Sequence, residues 1–87
     1  MKTNAAELIK IHSGKFNYTR VKALKNGIAH LFNEYTRRAE PYTILVVVQF
    51  KGGSQKQFWA EIPIRKLDEI THIAFYKVKQ VPTFIKN

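Results

Sequence analysis

Apolar and polar positions alternate most clearly between Tyr42 and Ile64, in YTILVVVQF, KGGSQ and KQFWAEIPI. This pattern predicts a β-hairpin with strands over about 42–50 and 56–64. Residues 43–50 are almost all β-branched, apolar or aromatic, the composition of a half-buried strand. Ile44, Val46, Val48 and Phe50 share one face, and Leu45, Val47 and Gln49 the other. In the second strand Phe58, Ala60, Ile62 and Ile64 oppose Gln57, Trp59, Glu61 and Pro63. A five-residue loop, Lys51–Gln55, would set Val48 opposite Phe58 and Val46 opposite Ala60. A four-residue loop would bring Val46 against Glu61 and put side chains on the wrong faces. Gly52 and Gly53 supply the backbone angles the turn needs. Pro63 cannot donate to a ladder, so the second strand ends or becomes an edge there.

Upstream, the spacing changes to that of helices. Residues 4–12 read as a short helix with Asn4 as N-cap, Glu7 as its capping-box partner and Gly14 as terminator. Ala5, Leu8, Ile9 and His12 would lie on one side, although ELIKIH also alternates like a short strand. Residues 17–39 form the strongest helical pattern, with Val21, Leu24, Ile28, Leu31 and Tyr35 in one stripe and Phe32 broadening it. Asn17 is the expected N-cap, with Phe16 and Val21 as a hydrophobic staple. Pro41 stops the helix.

Downstream, residues 65–71 read as a short helix and 73–80 as a third strand, with a longer helix over 66–79 as the competitor. Phe84 and Ile85 would tuck against the second sheet face. The expected fold is α+β: two N-terminal helices, the central antiparallel hairpin, a short helix and a third strand. All of it forms a single small domain, 1–87, with the helices on one face of the sheet.

Charge changes the picture more than composition does. Fifteen Lys and Arg oppose six Asp and Glu, a net +9 with a pI near 10.1. So basic a small domain points to a polyanionic partner, nucleic acid before an acidic protein surface. The chain has no cysteine, which excludes disulfides and thiolate metal sites. Its longest wholly apolar run, Ile44–Val48, is far too short to span a bilayer, and the first residues lack a secretory h-region. These features set the expectation of a cytoplasmic protein with no membrane association.

No catalytic constellation stands out. The carboxylates are scattered, and His12, His30 and His72 fall on three different elements, so neither metal nor cofactor is expected. GGSQK has the glycines of a phosphate loop but joins two strands and lacks the P-loop spacing. The expectation is a non-enzymatic protein.

Two surfaces are candidates. Lys15, Tyr18, Arg20, Lys22 and Lys25 cluster at the start of helix 17–39, where exposed N–H groups and cations together suit a phosphate. KFNYTR also interleaves aromatics with cations, as stacking platforms do. Lys51 and Lys56 bracket the hairpin loop as a basic wing, and Arg65 and Lys66 follow the second strand. These nine residues are the expected nucleic-acid contacts. The second sheet face, with Leu45, Val47 and Trp59, is the alternative. It would serve a protein partner or a homodimer. A helix-turn-helix fits the first two helices in outline, but Lys15 and Arg20 fall where a packed helix pair needs apolar residues.

Helix 17–39, the strand PYTILVVVQF, a Gly-bearing loop and QFWAEIPIRKLDEI together resemble the C-terminal half of archaeal Holliday-junction-resolvase-type nucleases. The resemblance covers about half of the chain. That family's acidic residues and E-x-K strand precede the helix, whereas only Glu7 and Lys10 lie upstream here, at a different spacing. The resemblance therefore implies DNA binding with the nuclease chemistry lost.

Overall fold

A computed structural model describes residues 6–79. Strand β1 (Ala6–Ser13) leads into helix α1 (Tyr18–Arg37), then β2 (Tyr42–Phe50), β3 (Gln55–Trp59), a 3-10 turn (Leu67–Glu69) and β4 (Ile70–Lys79). The four strands make one antiparallel sheet in the order β1-β4-β2-β3. The α+β class stands, but the expected pair of N-terminal helices does not. Residues 6–12 lie in a strand, so α1 is the one α-helix among the described residues.

The reason is pairing. A nine-residue helix is marginal on its own, whereas β1 gains a complete ladder along β4 from Ala6↔Val78 to Ser13↔His72. A bulge between Leu8 and Lys10 shifts that register. It puts Leu8 and Ile11, three residues apart, on the same face. The expected helical stripe is thereby split, with His12 on the α1 side against Phe75 and Leu8 on the opposite face.

Helix α1 follows its sequence signals. The Asn17 Oδ1 accepts the Arg20 N–H at 2.8 Å, and Val21, Ile28 and Tyr35 are buried. Leu24 and Leu31 pack beside them, whereas Phe32 is 40% exposed and does not widen the buried stripe. At the other end, Ala39 N–H donates to the Thr36 carbonyl and Glu40 N–H to the Tyr35 carbonyl. That bond pair is a Schellman closure, with Ala39 at φ 58° in the position glycine usually takes.

The hairpin forms with a register two residues from the expected one. Val46 faces Phe58 and Val48 faces Lys56, instead of Ala60 and Phe58. Phe50 N–H donates to Ser54 and Gly53 N–H to Phe50, leaving a tight turn through Lys51, Gly52 and Gly53. A two-residue slip keeps every side chain on its predicted face. The second strand stops at Trp59, well short of residue 64. Ala60 turns to φ 53° and donates its N–H to Ile44, and Pro63 follows in irregular chain. Ile62 is still fully buried, while Ile64 is 43% exposed.

The expected helix 65–71 shrinks to one 3-10 turn after Lys66, which is itself left-handed at φ 52°. The third strand, expected over 73–80, begins three residues earlier as β4 and lies between β1 and β2. The competing helix over 66–79 does not form. β-Branched and aromatic residues from Ile70 onward favour the sheet, where neighbours on both sides satisfy the backbone. Helix α1 and the 60–66 segment cover one sheet face. Val21, Ile28, Ile44, Val46, Val48, Ile62, Ile73 and Phe75 form a continuous core there. Phe84 and Ile85 lie outside the described residues.

Candidate nucleic-acid interface

The fold gathers basic residues at the hairpin end of the sheet. Lys51 N–H donates to the Glu69 carbonyl at 2.8 Å, tying the β2–β3 turn to the 3-10 turn. Lys15 and Lys51 line a cleft of about 590 Å³ with Asn17, Leu67, Asp68 and Thr71. Phe50 lines a second cleft of about 260 Å³. There Lys56, Arg65 and Lys66 surround Phe50, Phe58 and Pro63. Phe50–Lys51 and Lys66–Leu67 are consecutive pairs split between the two clefts, so the clefts adjoin. Sequence places Lys56 and Arg65 at opposite ends of a long strand. The early end of β3 lets the chain fold back and bring them together. Asp68 and Glu69 are the acidic residues nearby, so five cations face two carboxylates.

The start of α1 is arranged differently from its sequence reading. The Arg20 guanidinium donates to the Lys15 carbonyl at 2.8 Å and lies over the buried Phe16 ring, 4.4 Å from its centre. Arg20 therefore braces the loop that carries Lys15. Lys22 Nζ stands 6.0 Å from the centre of the Tyr18 ring, and Tyr18 is 56% exposed. This pair is open to solvent at the first turn. Lys25 lies farther along, over a 300 Å³ depression with Phe32, Ala60 and Glu61. The structure thus separates Lys25 from the hairpin-end group.

Acidic partners are concentrated elsewhere. Among the described residues the ion pairs are Glu34 with Arg37 and Arg38, and Glu40 with Arg38, all at the C-terminal end of α1. The hydrogen bond and charge of Arg37 hold the Glu34 carboxyl below its usual range. Lys77 is also engaged, over Tyr42 at 4.3 Å and Tyr35 at 5.5 Å. His12 rests against Phe75, with ring centres 5.0 Å apart. Burial, then Lys10 and Arg20, lower its pKa from the usual 6.5. Among the described residues no group of three or more His, Cys, Asp or Glu is placed to hold a metal.

The second sheet face contains Leu45, Val47 and Trp59, as expected, and much that sequence reading missed. Cross-strand registers align Leu8, Tyr76, Leu45 and Trp59 in one row across all four strands. Ile11, Ala74, Val47 and Gln57 make the next row. Ser13, His72, Gln49 and Gln55 make a polar row toward the hairpin end. Leu8, Ile11 and Trp59 are 49%, 52% and 60% exposed. The signal for the missing half was the alternation of ELIKIH. No family model matches this chain, and neither curated proteins nor solved structures give a match. The functional reading therefore rests on the chain's own geometry.

Proposed function

We propose that this protein binds nucleic acid without acting on it chemically, through phosphate contacts from Lys15, Lys51, Lys56, Arg65 and Lys66. One observation carries the reading. These five cations surround two adjoining clefts at one end of the molecule, while the ion-paired arginines lie at the far end of α1. Lys22 and Tyr18 extend the same surface toward the first turn of the helix. Such contacts neutralise phosphates and release counterions, so affinity falls steeply with salt and reads little sequence.

Fluorescence anisotropy with labelled duplex DNA, single-stranded DNA and RNA across a salt series tests this. The expected result is binding with a log–log salt slope of several. Replacing Lys56 and Arg65 with Gln should weaken all sequences alike and lower the slope by roughly one per lost contact. Unchanged affinity and slope in that double variant would overturn the assignment of the site.

A further inference from the structure

The helix-free face of the sheet has an unusual charge distribution for this chain. None of its described positions carries Asp, Glu, Lys or Arg. The strand charges Glu7, Lys10, Lys56, Lys77 and Lys79 all point to the helix side. Two central rows of this face are apolar but for Gln57 and the Tyr76 hydroxyl, and Leu8, Ile11 and Trp59 at their ends are about half exposed. Ala74 and Val78 lie on the same face and are 8% and 9% exposed. Neither belongs to the core under α1. Among the described residues no element lies over these rows.

We infer that this face is the contact surface of a homodimer, in which two copies pack sheet against sheet through the Leu8–Tyr76–Leu45–Trp59 row. Charge argues for a second copy. Two chains of +9 repel each other least through a face where neither presents a cation, and among the described residues this face meets that condition. A nucleic acid would find no phosphate partner there. An acidic protein would find no cation to answer its carboxylates. Area agrees. Four strands about 4.8 Å apart and about eight residues long give roughly 500 Å² of face. A sheet-on-sheet pair would bury about 1,000 Å² in total, the threshold of a specific interface. A self-complementary patch closes by two-fold symmetry. With the axis running across the strands, the basic hairpin ends fall at opposite ends of the dimer, which minimises their repulsion.

Sedimentation equilibrium on the full chain at tens of micromolar tests this. The expected mass is twice the 10.1 kDa of one chain. Trp59→Lys and Ile11→Lys, both at exposed positions, should each weaken self-association at least tenfold with unchanged circular dichroism. Gln55→Lys, on the polar row, should weaken it less. If Ile11→Lys fails to fold, Trp59→Lys on the short edge strand decides the matter alone. A monomeric wild type would overturn the inference, whether Trp59 is quenched by iodide or protected by the chain's own remaining residues. So would a dimer indifferent to Trp59→Lys.

Discussion

Arg20 occupies the first turn of a helix, where the macrodipole disfavours a cation, and its guanidinium turns back onto Phe16 and the Lys15 carbonyl. Its expected role is to hold the loop that presents Lys15. Arg20→Ala should cost about 1–2 kcal/mol in chemical denaturation, from one stacked cation and one hydrogen bond. Ala39 and Ala60 carry left-handed angles without glycine's freedom. Ala39→Gly should raise stability by about 1 kcal/mol, because the Schellman closure already has its hydrogen bonds and lacks only an unstrained residue. His12 gives a pH dependence whose sign is fixed by its lowered pKa. Below about pH 6.5 the unfolded chain takes up the proton first, so stability falls as pH drops toward the folded-state pKa. Thermal midpoints of His12→Gln should vary less with pH across that window than those of the wild type.

At the scale of elements, helix α1 and strand β2 were legible because many residues repeat one message. The stripe from Val21 to Tyr35 and the run from Thr43 to Phe50 each exceed what a few exceptions can blur. Strand β1 was only half legible, because ELIKIH alternates like a strand while Asn4, Glu7 and Gly14 offer the caps of a helix, and pairing with β4 decides between them. The end of β3 was hidden for another reason. QFWAEIPI alternates to its last residue, but Ala60 leaves the ladder, a local angle that composition does not report. The consequence for the site was direct. Lys56, Arg65 and Lys66 could each be named from sequence, while their meeting in one cleft depended on that turn. Gly27 illustrates the legible side. It lies mid-helix, and a Cβ there would meet nothing within 4 Å. Gly27→Ala should therefore add about 1 kcal/mol to stability, measured by urea titration.

Across the whole molecule, charge and apolar surface are separated. Phosphate-binding candidates crowd one end, ion pairs occupy the far end of α1, and one sheet face carries no formal charge among the described residues. Net charge raised the expectation of a polyanion partner, but only strand pairing could show that, among the described residues, the strand cations lie off that face. Among the described residues no helix is long and apolar enough to cross a membrane.

The position of β4 has a consequence for how the protein is made. The last strand of the described chain sits between the first two, and Ala6 pairs with Val78. On a ribosome adding about 5–20 residues per second, β2 and β3 are complete while the groove awaiting β4 is still empty. For roughly one to six seconds the nascent chain exposes an unpaired apolar edge on β2, and β1 has nothing to join. Pairings so distant in sequence also close slowly in refolding. The vulnerable species of this protein is therefore the chain awaiting its central strand, and the step that ends the exposure is insertion of β4.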